Sequence, residues 1–431
     1  MNLLHANDRT GEYPASWYAA TATPPAPFPE LTGETRADVC VVGGGFTGLS
    51  CALHLAQAGV GVMLIEAHRV GFGASGRNGG QVGSGQRKDQ HALERAYGLD
   101  MARRLWQVAE EAKALVRSLI ANHDIAAGWK GGVAHAAWRA ADAHEERAYV
   151  EHLNRTYDYP HAKALDREGL RALVGSDAFC GGSVDWGAGH IHPLRFALGL
   201  ARAAAQAGVR IFEMSEVTAV DTGTVRTAKG HVTADHVVLA CNGYLGSLQP
   251  KVAARVMPIN NFIVATEPLG DRAATVLARD IAVADSKFVV NYWRLSEDRR
   301  LLFGGTETYG YRFPRDIAGA VRKPMLKIYP QLADARIDYA WGGTLAITPT
   351  RMPDFARPAP GLWSASGYSG HGVALATMAG KLIADAIRGD AAGFDLMAAT
   401  RPPAFPGLGR LRSPLLALAM TWYAMRDRLG R

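Results

Sequence analysis

The feature that most constrains the fold is a short apolar run that ends in three consecutive glycines and leads into a helix-forming stretch. The apolar run covers residues 38–42, the glycines follow at 43–45, and the helix-forming stretch covers residues 49–57. A second apolar run, residues 60–65, ends on Glu66. The order strand, Gly-rich turn, helix, strand and acid is that of a dinucleotide-binding βαβ unit. The sequence therefore predicts a nucleotide site at this turn.

The residues of this unit have separate roles in holding a pyrophosphate. Gly43 allows a tight turn, Gly45 lets the backbone approach the phosphates, and Gly48 lets the helix pack closely on the strands. The free N–H groups at the helix start face the negative charge. The carboxylate of Glu66 can accept from the ribose hydroxyls, and an acid here disfavours a 2′-phosphate and hence NADP. FAD and NAD both remain compatible with the motif.

A second Gly-rich passage, residues 71–81, follows Glu66 and contains Ser75, Arg77 and Gln81. Its glycines permit positive φ angles and leave backbone donors without partners in regular structure. Arg77 supplies a fixed cation. Because the passage comes directly after the βαβ unit, we interpret it as a loop that covers the cofactor rather than a flexible surface loop.

The middle of the chain has both helical and strand patterns. We predict helices over 90–122, over 140–156 and from Pro193 to about 207, a loop over 181–190, and strands over 209–213, 216–220 and 236–240. The last strand runs into Cys241, Asn242 and Gly243, and ligands bind at such carboxyl ends of strands in doubly wound folds. His190 and His192 are more typical of loop packing and a helix start than of metal ligands, so no metal site is predicted.

Residues 257–345 have strand-like alternation, with a hairpin around 296–298, and predict a largely antiparallel sheet in a second domain. The chain then reaches another Gly-rich turn, residues 366–372, which opens a helix over 373–388. One pyrophosphate needs one helix start, so the second is available for another electron-rich group. The pyrimidine edge of a reduced flavin is such a group. This second helix start favours FAD over NAD.

The composition is that of an ordinary soluble globular protein, with 431 residues, 48% of them hydrophobic and 20% charged. The net charge is +7, but no Arg/Lys-rich helix or basic–aromatic alternation indicates a nucleic-acid partner. The four cysteines have no Cys-x-x-Cys spacing. The N-terminus lacks the pattern of a signal peptide, and no apolar run reaches the roughly 18 residues needed to span a bilayer. We therefore expect a cytoplasmic, reduced protein.

Four motifs carry a resemblance to a known family. They are residues 41–48, 73–81, 291–296 and 367–373, which read VVGGGFTG, GASGRNGGQ, NYWRLS and GYSGHGV. Over nearly its whole length, the chain resembles the FAD-dependent amine and amino-acid oxidoreductases of the D-amino-acid oxidase, glycine oxidase and sarcosine oxidase superfamily. Within that superfamily, it is most similar to the γ-glutamylputrescine oxidoreductase branch.

The resemblance implies an α/β fold, in which a mostly antiparallel α+β substrate domain is inserted into a discontinuous, Rossmann-like FAD-binding domain. The predicted order is an N-terminal arm (1–36) anchored on the surface by residues 16–18, an FAD domain in three parts (37–125, 181–256 and 344–412), a substrate domain in two parts (126–180 and 257–343), and a C-terminal helix (413–431). This helix is apolar and flanked by arginines, so it would cover the core or lie on a partner or membrane surface.

The resemblance also implies the residues that contact FAD and substrate. Glu66 would hold the adenosine ribose, Val217 the adenine, and residues 370–373 the flavin pyrimidine. The predicted cofactor-binding residues are Gly43, Gly45, Phe46, Thr47, Gly48, Glu66, Ala67, Ser75, Gly76, Arg77, Asn78, Gly79, Gly80, Gln81, Val217, Cys241, Asn242, Gly243, Gly342, Gly367, Gly370, His371, Gly372 and Val373. The predicted substrate-binding residues are Tyr292, Trp293, Arg294 and Arg351, and the predicted catalytic residues are His371, Tyr292 and Trp293.

Two departures from the family pattern affect the chemistry. Residues 346–355 contain no cysteine that could bind the flavin, so FAD is predicted to be non-covalent. Sarcosine-oxidase-like members place a lysine near the flavin to assist the reaction with oxygen. The comparable strand here reads Leu301-Leu302-Phe303, which weakens the case for oxygen as the acceptor.

The implied reaction is the oxidation of a neutral amine, such as the primary amine of γ-glutamylputrescine, by hydride transfer from its α-carbon to flavin N5. The imine is hydrolysed to an aldehyde or oxo acid and ammonia, with oxygen as the expected acceptor. Two alternatives stay open. One is a dehydrogenase that passes electrons from an amino acid to a quinone, and the other is a flavin-binding assembly protein without catalytic activity.

Overall fold

The computed structural model of the protein describes residues 2–406, so the predicted C-terminal helix (413–431) lies outside the described residues. The α-helices in this part are α1 (Trp17–Thr21), α2 (Phe46–Gln57), α3 (Gln90–Tyr97), α4 (Leu99–Asn122), α5 (Ala140–Thr156), α6 (Arg167–Val174), α7 (Pro193–Gln206), α8 (Pro250–Ala253), α9 (Ile317–Ile328), α10 (Gly372–Ile387) and α11 (Ala392–Ala398). The strands are β1 (Gly33–Val42), β2 (Val62–Ile65), β3 (Gln81–Val82), β4 (Lys130–Ala137), β5 (Ala162–Leu165), β6 (Gly181–His190), β7 (Arg210–Phe212), β8 (Val217–Asp221), β9 (Thr224–Thr227), β10 (Gly230–Leu239), β11 (Met257–Thr266), β12 (Ala282–Asp285), β13 (Tyr292–Leu295), β14 (Leu301–Thr308), β15 (Ile337–Ile347), β16 (Asp354–Ala359) and β17 (Leu362–Ser366).

The first sheet is built around parallel strands, in the order β16-β17-β10-β1-β2-β7. The pairs β17–β10, β10–β1, β1–β2 and β2–β7 are parallel, whereas β16 and the β8–β9 hairpin add antiparallel pairs at β17 and β10. Parallel sheets are usually covered on both faces, and β1 shows this: Val39 and Val41 enter one core cluster, whereas Cys40 and Val42 enter another. The predicted βαβ unit is thus the centre of a doubly wound sheet.

The second sheet is mostly antiparallel, in the order β15-β11-β14-β13-β12-β4-β6-β3 with β5 paired to β6. Only the β12–β4 pair is parallel among its described strand pairs. The predicted hairpin at 296–298 is confirmed, since it joins the antiparallel pair β13–β14. The loop predicted over 181–190 is wrong. This segment is β6, which pairs with β3, β4 and β5, because neighbouring strands satisfy a backbone whose glycine content suggested a loop.

Two other local predictions differ from the structure. The helix predicted over 90–122 is two helices, because Gly98 has a φ of +82° and ends α3 before α4 begins. Residues 16–18 do anchor the N-terminal arm on the main body, but more deeply than on its surface: Trp17 and Tyr18 are only 2% and 0% exposed, since α1 packs its aromatic side chains into the main core. Helix α5 covers the predicted 140–156, and Pro193 begins α7 as expected.

The domain boundaries stay predictions. The strands of the two sheets alternate along the chain, as a discontinuous domain requires. However, β6 lies in the range 181–256 that was assigned to the FAD domain, yet it pairs within the second sheet. None of the helices within residues 2–406 has both the length and the apolar character needed to cross a membrane.

The close packing at Gly48 gives a prediction about stability. A Cβ at Gly48 would lie 1.9 Å from the Gly43 carbonyl oxygen, so Gly48→Ala must displace either α2 or the turn. We expect a loss of about 1–3 kcal/mol in the free energy of unfolding, measured by denaturant titration. Gly310→Ala is the matched control, because a Cβ there meets nothing within 4 Å. Equal stabilities of the two variants would contradict the packing argument.

Candidate functional site

The site is a cavity of about 530 Å³ that is lined by both Gly-rich helix starts and by the second sheet. Its walls include Gly45 at the start of α2, Gly372 at the start of α10, and Tyr292 on β13. Neither α2 nor α10 has a side-chain hydrogen bond from its N-cap residue. Apart from the Phe46 N–H, which donates to Ser75 Oγ, backbone donors at both helix starts are therefore available to an electron-rich ligand.

Glu66 lies at the end of β2, where it faces the first Gly-rich turn. Its carboxylate accepts from the backbone N–H of Gly44 at 2.7 Å and of His68 at 2.9 Å. Burial raises the pKa of Glu66, and these two hydrogen bonds oppose the rise. A carboxylate has about four lone-pair sites. The remaining sites can accept from the hydroxyls of a bound ribose, which would further favour the charged form.

The loop after β2 is held in place by its own polar side chains and by the N-terminal arm. Asn78 Nδ2 donates to the carbonyl oxygens of Ala74 and Ser75, while its Oδ1 accepts from Gly80 N–H. Ser75 Oγ accepts from the N–H of Phe46, the first residue of α2, at 2.9 Å. The loop is thus tied to the turn that it covers.

Arg77 is a fixed cation, as the sequence suggested, but its charge is paired within the protein. Its Nη1 is paired with Asp8 of the arm at 2.9 Å, and its side chain is 1% exposed. Its Nε donates to the Phe72 carbonyl oxygen, while its Nη2 is buried without a hydrogen-bond partner among the described residues. Arg77 lines the cavity, but its charge mainly joins the arm to the loop.

His371 lies at the start of α10, in the cavity wall. Its Nε2 is 3.1 Å from the Gly85 carbonyl oxygen. Burial, followed by the positive charge of Arg87, lowers the pKa of His371 to about 4. The ring is therefore neutral near pH 7, and because a carbonyl oxygen only accepts, its proton is on Nε2. Nδ1 is left as an acceptor.

The motif at 291–296 brings only one of its three predicted substrate residues into the cavity. Tyr292 lines the cavity, and its hydroxyl donates to Asn261 Oδ1 at 2.5 Å. Trp293 points to the opposite face of β13, where it stacks on Phe303 in the second-sheet core. Side chains of successive strand residues point to opposite faces, so Trp293 is not placed to contact substrate.

Arg294 is on the same face as Tyr292 but does not line the cavity. Its guanidinium donates to the carbonyl oxygens of Gly79 and Ile191 and to the Tyr18 hydroxyl. With these donors occupied and only 5% of the residue exposed, Arg294 holds the loop and the arm together. Its predicted role in substrate binding is thus replaced by a structural one.

The cavity brings together most of the predicted site residues. Those that line it are Gly43, Gly45, Phe46, Thr47, Glu66, Ala67, Ser75, Arg77, Asn78, Gly79, Gln81, Val217, Cys241, Asn242, Tyr292, Arg351, Gly370, His371, Gly372 and Val373. The predicted residues outside its wall are Gly48, Gly76, Gly80, Gly243, Gly342, Gly367, Trp293 and Arg294. These glycines permit close packing behind the wall: for example, a Cβ at Gly76 or Gly80 would lie 2.2 or 2.1 Å from a carbonyl oxygen.

Sequence reasoning missed several polar residues of the wall. Arg87, Glu307, Ser84 and Asp185 all line the cavity. Arg87 and Ser84 follow the second Gly-rich passage, and its continuation through Gly83 and Gly85 was a usable signal. Asp185 was hidden by the wrong loop prediction for β6. It accepts from Ser84 Oγ at 2.5 Å and from the Tyr159 hydroxyl at 2.7 Å, as part of a polar network behind the wall.

The profile of the DAO family, described as FAD dependent oxidoreductase, matches residues 38–386. The chain belongs to this family. It is 43% identical over 417 residues to the probable oxidoreductase OrdL of Rhizobium meliloti, covering 96% of this chain and 97% of that one. It is 42% identical over 424 residues to the γ-glutamylputrescine oxidoreductase of Escherichia coli, covering 97% and 99%. A crystal structure of glycine oxidase from Geobacillus kaustophilus matches with a TM-score of 0.73 at 23% identity, covering 86% of this chain and 100% of that one.

Family membership makes this chain an FAD-dependent oxidoreductase and confirms the predicted family, enzyme class and cofactor. The structural match confirms the predicted fold class. The cavity also fits FAD chemically, with two uncapped helix starts and a buried acid. Cys241 lines the cavity, but burial raises the pKa of its thiol to about 12. A protonated thiol is a poor nucleophile, in keeping with the prediction of non-covalent FAD.

The geometry at Glu66 gives a prediction about FAD affinity. Glu66→Gln keeps the size of the side chain but removes the negative charge of the carboxylate, which accepts from Gly44 and would accept from the ribose of bound FAD. Losing one charge-assisted hydrogen bond costs on the order of 1.5–3 kcal/mol, or roughly ten- to a hundredfold in FAD dissociation constant. Recovery of flavin fluorescence on dilution measures this constant. Glu34→Gln, at an exposed position of β1, should leave it unchanged, and an equal effect of both variants would contradict the assignment.

Proposed function

We propose that the protein oxidises a primary amine at the end of a flexible aliphatic chain, in a substrate similar to γ-glutamylputrescine. The observation that most supports this is the 42% identity, over 97% of the chain, to a relative named for that activity. The products would be an aldehyde and ammonia. Oxygen is proposed as the acceptor of the electrons.

Tyr292 supplies the aromatic wall for the aliphatic part of the substrate. A Cβ at Gly79 would lie 2.7 Å from its ring, and a Cβ at Gly304 would lie 2.1 Å from it. The two glycines therefore let the ring sit flat between the loop and β14. With its hydroxyl bound to Asn261, the ring has a fixed position beside the loop that covers the cofactor. Apolar methylenes can pack against such a ring without displacing bound polar groups.

The protein's own residues position the amine and leave it neutral. When bound, FAD supplies the acceptor for the hydride that leaves the carbon bearing the amine, and the imine is then hydrolysed in water. His371 stays uncharged and so adds no positive charge to the cavity wall. The backbone donors at the start of α10 would stabilise negative charge that develops on the bound flavin.

Two carboxylates of the cavity wall, Asp285 and Asp185, already have hydrogen-bond partners within the protein. Asp285 accepts from Trp138 Nε1 at 2.7 Å and from Asn291 Nδ2 at 2.6 Å. Asp185 accepts from Ser84, from Tyr159 and from a backbone N–H. Because these oxygens have partners, neither group is arranged as a free base. The substrate amine is therefore expected to enter in its neutral form.

The proposal predicts which amines reduce the flavin. In anaerobic stopped-flow mixing, γ-glutamylputrescine should bleach the flavin faster than D-alanine, glycine or sarcosine. Burying about four methylenes contributes roughly 3 kcal/mol, so shorter amines should bind more weakly. Release of hydrogen peroxide during aerobic turnover would support oxygen as the acceptor.

Faster reduction by a short amino acid than by every long-chain amine would reject the proposed substrate. Turnover with a quinone but without peroxide would instead support a dehydrogenase. Absence of reduction by any amine would favour a non-catalytic flavin protein.

The proposal also predicts the pH dependence. An alkylamine has a pKa near 10.4, so the rate of flavin reduction at limiting substrate should rise about tenfold per pH unit below this value. The pKa of His371 is lowered to about 4, so this ring takes up a proton only below that pH and adds no further limb between pH 6 and 9. A further decrease of the reduction rate towards acid pH in this range, present in wild type and absent in His371→Asn, would contradict a neutral His371.

A further inference from the structure

Three charged side chains line the cavity without neutralising one another. They are Arg87, Arg351 and Glu307. Among the ion pairs of residues 2–406, which have N–O distances of up to 4.0 Å, none involves these three residues. Buried charges in folded proteins are normally paired or hydrogen-bonded, because an unpaired charge loses its hydration. Arg87, Arg351 and Glu307 are part-buried. Three part-buried charges without an ion pair in one wall indicate a site whose partner is a ligand.

Contacts within the protein satisfy only part of the hydrogen-bonding capacity and charge of each side chain. Arg87 Nε donates to the Ser369 carbonyl oxygen at 3.2 Å. The Arg351 guanidinium lies over the Phe288 ring, 5.8 Å from its centroid. Glu307 accepts from the Tyr309 hydroxyl at 3.1 Å. These contacts hold the three side chains while leaving two positive charges and one negative charge to face the cavity.

The three charges are close enough to influence one another through space. Burial raises the pKa of Glu307, and the Tyr309 hydrogen bond and the two arginines oppose this. Burial lowers the pKa of Arg87 and of Arg351, and Glu307 opposes this in both. Guanidinium groups remain protonated in proteins. The space between them therefore suits a group that carries both charges.

The backbone at this wall is strained. Arg351 has a φ of +65°, and Thr306, which precedes Glu307, has a φ of +59°. Such angles are uncommon for residues other than glycine, and strained residues cluster at ligand sites. Both positive φ angles thus occur at or next to a charged residue of the cavity wall.

The charges lie at a distance from the aromatic wall. The Tyr292 ring packs on Gly304 of β14, and Glu307 is three residues further along that strand, which corresponds to about 10 Å. A substrate whose aliphatic part lies on Tyr292 would thus reach the charges with its far end.

We propose that Arg87, Arg351 and Glu307 form a subsite for a free α-amino-acid group at the far end of the substrate. Its carboxylate would bind the two arginines, and its ammonium group would bind Glu307. The nature of the reacting end rests on the proposed function, but binding at the charged end does not.

A ligand that lacks the reacting amine tests the subsite by itself. γ-Glutamyl-n-butylamide keeps the zwitterionic group, N-butylglutaramic acid lacks its ammonium, and 4-amino-N-butylbutanamide lacks its carboxylate. Their affinities for the FAD-loaded enzyme are measured by titration calorimetry. Wild type should bind the first ligand about ten- to a hundredfold more tightly than either of the others.

Each variant should lose the preference of wild type for one charged group of the ligand, either the ammonium or the carboxylate. Glu307→Gln should bind γ-glutamyl-n-butylamide and N-butylglutaramic acid equally well, while still preferring the first over the ligand without a carboxylate. Arg351→Gln should bind γ-glutamyl-n-butylamide and 4-amino-N-butylbutanamide equally well, while still preferring the first over N-butylglutaramic acid. If Arg351→Gln does not retain flavin, Arg87→Gln makes the same test. Glu145→Gln and Arg147→Gln, at exposed positions of α5, are matched controls that should keep both preferences.

Three results would overturn the subsite: no binding of γ-glutamyl-n-butylamide by wild type, equal binding of the three ligands, or unchanged preferences in Glu307→Gln and Arg351→Gln. Failure of the proposed function is a separate outcome. If the ligands bind in the expected pattern but no amine reduces the flavin, the subsite stands and the proposed reaction is wrong.

Discussion

The close packing of α2 on α10 is the contact on which the cofactor site depends. A Cβ at Gly380 would lie 2.3 Å from the Thr47 carbonyl oxygen, so the two helices meet backbone to backbone. The Thr47 and Tyr368 hydroxyls, 321 positions apart in the chain, lie 2.7 Å from each other. Because each helix begins at a Gly-rich turn, this contact places two uncapped helix starts in one cavity. A single extended cofactor can then meet both.

Hydrogen bonds of a single arginine also link the aromatic wall to the loop after β2. Arg294 donates to Gly79 of the loop and to Tyr18 of the N-terminal arm, while the neighbouring Tyr292 forms the aromatic wall. Asp8 of the arm pairs with Arg77 of the loop. The arm is therefore a structural part of the site. A displacement of the loop would therefore disturb the hydrogen bonds of Arg294, two residues from the Tyr292 ring.

The sequence motifs predicted the backbone turns of the site more reliably than the side chains that line it. Gly-rich turns before helices are local patterns, so the turns at Gly43 and Gly370 could be predicted from the spacing of the glycines. The pairing of charges at Arg87 and Glu307 could not, because the two residues lie more than two hundred positions apart and Glu307 stands in no recognisable motif. The segment 181–190 was missed because its glycines suggested a loop, whereas three neighbouring strands provide its hydrogen bonds.

The sequence by itself determined the βαβ unit, the second helix start and hence the cofactor class, because each depends on residue spacing within one or two turns of chain. Only the tertiary structure decided which side chains face the cavity. Tyr292 and Trp293 are adjacent in one motif, yet alternation along β13 places Tyr292 in the cavity wall and Trp293 in the core. Arg294 and Arg351 are both cations. In the folded chain, the donors of Arg294 are hydrogen-bonded within the protein, whereas Arg351 lines the cavity.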